Sequence, residues 1–266
     1  MKSESVDVFA LHGFLGSKED WKSVFHYLRE EKPRWKLHAI DLFLDFNQTA
    51  EAQHLNPATS ISTSATPIST MDDWALCFNS WVLKNTSQSS RRILVGYSMG
   101  GRLALHALEK NPTLWSGAVF LSTNPGLSTP QEKQIRIDND KNWAKRFANE
   151  EFSHVLADWN SQSVFKNSSE PARNRESSNL KKIEQALLDW SLGNQKNFRE
   201  VKDLWSLRQV WAAGEKDTKF SELLKTLPTS EQLQKWVIEE VSHRLLFEAP
   251  QEVAHFIVRV GSPIIG

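Results

Sequence analysis

Residues 96–101 constrain this chain more than any other stretch. Gly96-Tyr97-Ser98-Met99-Gly100 follows the apolar run Ile93-Leu94-Val95 and opens the helical pattern Met99-Gly-Gly-Arg-Leu-Ala-Leu-His-Ala-Leu. A strand, a sharp Gly-x-Ser-x-Gly turn and an amphipathic helix together make a nucleophile elbow, which lifts one serine above a sheet edge. Gly96 and Gly100 lack Cβ, so strand and helix can close around a strained residue. Ser98 then projects at the positive end of a helix.

The rest of the chain supplies a sheet for that elbow. Short apolar, β-branched runs alternate with helical patterns, which predicts a parallel sheet covered on both faces. Strands are expected at Val6–Leu11, Lys36–Ile40, Ile93–Val95, Ala118–Leu121, Gln209–Ala212 and Lys235–Ile238. Helices are expected over Trp21–Glu31, Asp72–Leu83, Met99–Lys110, Phe220–Leu227 and Gln251–Val260. Two stretches break the rhythm. Asn47 to Thr70 is rich in Ser, Thr, Ala and Pro and reads as a long surface loop. From about Leu127 to Phe198 strand signals disappear and helical patterns persist. The expected organisation is a core over residues 1–126 and 199–266, interrupted by a helical cap over 127–198. That cap would lie above the C-terminal ends of the strands, where such sheets bind ligands.

Composition narrows the function classes. With 32 Lys+Arg against 32 Asp+Glu, the 266 residues carry no formal net charge. No overall field draws the chain to nucleic acid or an anionic membrane, so function must come from a local site. One cysteine, Cys77, excludes an intrachain disulfide and fits a reducing compartment. The first residues show no charged segment leading into a long apolar stretch, and no run is long enough to span a bilayer. The expectation is a soluble, cytoplasmic protein.

A reactive serine needs an imidazole to take its proton and a carboxylate to hold that imidazole. Partners of an elbow serine follow in the order acid, then histidine. After the strand ending at Ala212 comes Gly214-Glu215-Lys216-Asp217, and after the next strand Val241-Ser242-His243-Arg244. Both loops fall at the sheet end where Ser98 emerges. Asp217 is preferred to Glu215, which follows its strand too closely. His243 fits the required order; His106 and His255 lie within helices and read as structural, and His12 as a residue that shapes a turn. In His12-Gly13-Phe14-Leu15-Gly16 the glycines allow the Phe14 N–H to point inward beside that of Met99, forming a hole for a developing oxyanion. No His/Cys/Asp cluster has metal-ligand spacing, so no metal is implied.

Longer strings carry a resemblance. Gly-Tyr-Ser-Met-Gly-Gly-Arg102, Asn124-Pro-Gly-Leu127, Arg136 ahead of Asp140-Lys-Asn-Trp-Ala-Lys-Arg-Phe147, Ala157-Asp-Trp159, Val164-Phe165 and Gly214-Glu-Lys-Asp-Thr-Lys-Phe220 span core and cap. The chain resembles the α/β-hydrolase fold over nearly its whole length. Within that fold it is similar to the 2-succinyl-6-hydroxy-2,4-cyclohexadiene-1-carboxylate synthases of menaquinone biosynthesis. The resemblance implies a cofactor-independent lyase that eliminates pyruvate from a small polycarboxylate. It implies Ser98, Asp217 and His243 as the catalytic set, with Ser98 acting as a base, and Phe14 and Met99 as oxyanion donors. It implies Arg102, Arg136 and Arg175 as carboxylate ligands, with Tyr97 and Trp159 lining the pocket. Arg173 is a near neighbour of Arg175. Planar, permanently charged guanidinium groups suit carboxylates in a way that lysine does not.

The chain departs from that pattern beside the histidine. There the family's usual glycine is Ser242, and Arg244 follows. An arginine next to the imidazole can contact an anionic substrate or depress the imidazole's pKa by like charge. A serine carboxylesterase or C–C bond hydrolase acting on an anionic substrate would use the same three residues through an acyl-enzyme.

Overall fold

The computed structural model describes residues 5–43, 69–166, 168, 171, 173 and 180–263. Most of the stretch read as a long loop, 47–70, lies outside the described residues, as does Arg175.

Six strands form one sheet: β1 (Val6–Leu11), β2 (Lys36–Ile40), β3 (Arg91–Tyr97), β4 (Gly117–Leu121), β5 (Gln209–Gly214) and β6 (Leu233–Ile238). The order is β2-β1-β3-β4-β5-β6, with every neighbouring pair parallel. Strand alternation divides the core in two. On one face Phe9, Leu11, Leu94, Phe120 and Trp211 pack against α2 (Met71–Asn85) and α3 (Met99–Lys110). On the other, Val8, Ala10, Ile93, Val95, Val119 and Val210 meet α1 (Lys22–Glu31) and the last helix, Pro250–Gly261. Strands buried on both faces explain the continuous apolar runs in the sequence.

The order of the strands reverses between β1 and β3. A crevice opens at such a switch point beyond the carboxyl ends of the strands, and ligands bind there. The chain leaves β1 into His12-Gly13-Phe14 and β3 into Ser98.

Between β4 and β5 the chain makes a helical excursion containing α4 (Pro130–Asn149), α5 (Phe152–Asn160) and α6 (Leu180–Asp189). It has a small core of its own, with Ala144, Phe147, Val155, Ile183 and Leu187 packed around Leu15 from the turn after β1. The apolar Phe14-Leu15 pair thus ties the excursion to the switch point. A capping box fixes the start of α4: Thr129 Oγ1 accepts from the Glu132 amide, and the Glu132 carboxylate accepts from the Thr129 amide. Pro130 at the first helical position sets the same start, and so places Arg136.

Candidate active site

Ser98 sits in the left-handed half of backbone space, at φ 53° and ψ −111°, with its amide donating to Leu121 O at 2.9 Å. The residues two positions to either side, Gly96 and Gly100, could not be other than glycine. A Cβ on Gly100 would lie 2.3 Å from His12 O, and one on Gly96 would lie 2.4 Å from Gly101 Cα. The backbone strain at a non-glycine residue is held in place by this packing.

β5 and β6 deliver the partners. His243 Nδ1 donates to Asp217 Oδ2 at 2.6 Å, and the Ser98 hydroxyl donates to His243 Nε2 at 3.3 Å. Asp217 and His243 are buried, whereas Ser98 remains partly accessible. Asp217 also caps α7 (Thr218–Lys225), accepting from the Phe220 amide. Phe220 in turn places its ring 4.8 Å from the imidazole. Glu215, the competing acid, is exposed and accepts from the Glu240 amide instead.

The turn after β1 is fixed by His12. Its Nδ1 donates to Gly13 O at 2.8 Å and its Nε2 accepts from the Leu42 amide at 3.2 Å, so it shapes the turn. Among the described residues, neither the Phe14 nor the Met99 amide donates to a protein acceptor. Met99 is the first residue of α3, where the helix itself supplies no acceptor for the amide.

The arginines fall into two groups. Arg102 is buried in α3, its Nη1 donating to Trp190 O at 2.6 Å and to Met71 Sδ at 3.6 Å. Burial, and next the charge of Arg136, lower its pKa, yet a guanidinium has so much margin that it stays charged at neutral pH. Arg136 Nε donates to both oxygens of Asp140, at 2.9 and 2.8 Å, and Ser191 donates to the same carboxylate at 2.7 Å. Lys219 belongs to this side: burial lowers its pKa, with the Arg136 charge as the next cause.

The second group lines a separate cavity. Its walls include Phe14, Tyr97, Trp159 and Phe165, together with Arg173 and Arg244. Trp159 lies 4.7 Å from the Phe14 ring. Burial pushes the Tyr97 phenol well above its ordinary pKa, so it stays protonated. Arg173 is compensated by Asp20 at 2.7 Å.

The sequence profile of the alpha/beta hydrolase fold matches residues 8–250. The chain belongs to the α/β-hydrolase fold family. A Haemophilus influenzae protein provisionally named 2-succinyl-6-hydroxy-2,4-cyclohexadiene-1-carboxylate synthase is 33% identical over 230 residues, 83% of this chain and 84% of that one. The Serratia proteamaculans synthase of that name is 28% identical over 263 residues, 94% and 92% of the two chains. Among solved structures, MenH from S. aureus superposes with a TM-score of 0.75 at 22% identity, over 97% of this chain and 94% of its own.

Ser98, Asp217 and His243 each lie in a loop just beyond the end of a different strand, β3, β5 and β6. Ser98, Asp217 and His243 come together as the motif order predicts, with Phe14, Met99, Tyr97 and Trp159 around them. Arg102 and Arg136 lie on the α3–α4 side, each with partners inside the protein. Sequence reading missed the Phe220 ring against the imidazole and the role of Asn160, described below. Phe220 carried a signal, since it ends the quoted Gly214–Phe220 string; Asn160 carried none. Among the described residues no group of three or more His, Cys, Asp or Glu could hold a metal ion, and no helix is long and apolar enough to cross a membrane.

Proposed function

We propose that this protein eliminates pyruvate from 2-succinyl-5-enolpyruvyl-6-hydroxy-3-cyclohexene-1-carboxylate to give 2-succinyl-6-hydroxy-2,4-cyclohexadiene-1-carboxylate, without a cofactor. The observation that carries this reading is the Ser98–His243–Asp217 relay, at 3.3 and 2.6 Å, in a chain whose relatives bear the name of that synthase.

In this reading His243 draws the Ser98 proton while Ser98 removes the ring proton beside the succinyl carbonyl. The freed electron pair forms an enolate, whose oxygen is held by the Phe14 and Met99 amides. The pair then returns through the ring, the C–O bond to the enolpyruvyl group breaks, and pyruvate leaves as its enolate, which takes up a proton. Asp217 keeps Nδ1–H of the imidazole in place and stabilises the imidazolium as it forms. Arg102, Arg136 and Arg175 hold the carboxylates, with Tyr97 and Trp159 lining the pocket and residues 127–198 serving as the cap. Ser98 forms no acyl-enzyme.

The test supplies the enolpyruvyl substrate and follows pyruvate release, alongside a p-nitrophenyl ester. Pyruvate release is the expected result. Rapid ester turnover with no pyruvate would support a serine hydrolase, which uses the same relay, and would overturn the synthase reading.

A further inference from the structure

Arg244 follows the imidazole directly and is buried, yet it lines the aromatic cavity beside Tyr97. Two residues of the excursion orient it. Its Nη2 donates to Asn160 Oδ1 at 2.7 Å, and its guanidinium carbon lies 4.8 Å from the centre of the Phe165 ring. The Phe165 ring is in turn 5.4 Å from that of His243. An amide at its edge and a ring on its face lock the planar fork in one orientation. Of the other groups facing this region, Arg173 is paired with Asp20, the Glu248 carboxylate accepts from Ser168 and Ser242 and feels the Arg244 charge, and Tyr97 is a neutral phenol.

A guanidinium pre-oriented in an aromatic pocket suits one ligand chemistry, a carboxylate on an apolar carbon skeleton. The guanidinium takes the two oxygens bidentately while the rings cover the carbons. Arg102 and Arg136 do not line this cavity.

We propose that Arg244, oriented by Asn160 and Phe165, forms a second carboxylate subsite in the Tyr97–Trp159–Phe165 cavity, separate from the Arg102–Arg136 side. This rests on the reading of the substrate as a polycarboxylate. One carboxylate of the substrate then engages the α3–α4 side and another engages Arg244, with the ring proton between them at Ser98. Arg244 is in that case a specificity residue: it selects substrates with a second carboxylate at the right distance.

The experiment compares wild type, Arg244→Gln and Arg244→Lys in the full chain. It reads kcat and KM for pyruvate release, its pH profile, and the binding of succinate by calorimetry. For Arg244→Gln the expected result is a fall in kcat/KM of roughly 10- to 100-fold, carried mainly by KM, because a ground-state contact is lost. Succinate should bind about tenfold more weakly. Arg244→Lys should recover part of both, and the acid limb of the profile should stay in place. A loss confined to kcat, with that limb displaced and succinate binding unchanged, would mean that Arg244 tunes His243, and would overturn the subsite. Asn160→Ala separates orientation from simple docking of the excursion. It should weaken succinate binding in the same direction, and unchanged succinate binding in both variants would also overturn the proposal. If wild type releases no pyruvate, the function reading fails on its own. Succinate binding that depends on Arg244 would still support the subsite, and binding that does not would remove it.

Discussion

Two histidine–aspartate pairs of nearly equal length behave very differently in this molecule. His243 meets Asp217 at 2.6 Å, and His106 meets Asp72 at 2.5 Å. In both, Nδ1 faces the carboxylate and the imidazole is buried. The difference lies at the other nitrogen. His243 Nε2 receives the Ser98 hydroxyl, whereas His106 Nε2 is buried with no partner among the described residues and its ring packs edge-on against Phe198. An aspartate orients an imidazole; only a group waiting at Nε2 gives that orientation a chemical consequence. Topology explains which pair has one. His243 is in a loop beyond a strand end, facing the crevice, while His106 lies mid-helix against the protein's own interior.

The sharpest way to break this comparison is to remove one member from each side. Ser98→Ala or His243→Ala should lower kcat for pyruvate release by on the order of 10³ or more, measured in steady state. His106→Asn should change it by less than about threefold, because its ring has no path to the substrate. Asp217→Asn comes next. It keeps the shape but favours the wrong tautomer of His243, and a loss on the order of 10³ in kcat is expected. Arg136→Ala should reduce kcat/KM by roughly 10- to 100-fold on the polycarboxylate, and by clearly less on a small neutral ester. Equal losses on both would assign Arg136 to the fold, through Asp140 and Ser191.

The smallest effect concerns stability. Burial pushes His106 down to about 4, outweighing Asp72, whose charge is also held by Lys110 at 2.6 Å and which pulls the other way. The folded state therefore favours neutral His106, and the unfolded chain binds its proton more readily. That contribution is fully present above an unfolded pKa of about 6.5 and is lost as pH falls from there through about 4. Between pH 7.5 and 5, wild type should lose on the order of 2 kcal/mol more stability than His106→Asn, read by denaturant unfolding at the two pH values.

Much of this site was legible in the sequence because local chemistry dictates it. Gly96 and Gly100 are forced by close backbone approach, and the order serine, aspartate, histidine follows from which strand ends share an edge. The six expected strands form at the expected places, most of them the same length or longer by a residue or two and β3 longer by four, since ladder bonds continue past the apolar run. What stayed hidden depends on side chains far apart in sequence. Nothing local announces that Trp190 O would receive Arg102, or that Asn160 would orient Arg244. His106 reads from the sequence as a structural histidine within a helix; only the packing of α2 against α3 buries it and brings Asp72 alongside.

Pyruvate release from the enolpyruvyl substrate, measured in parallel for wild type, Ser98→Ala, His243→Ala and His106→Asn, tests the central claim most directly. The account predicts release by wild type and His106→Asn, and almost none by the other two. Release that survives loss of Ser98 and His243 would contradict it, as would a wild-type protein that turns over a p-nitrophenyl ester and releases no pyruvate.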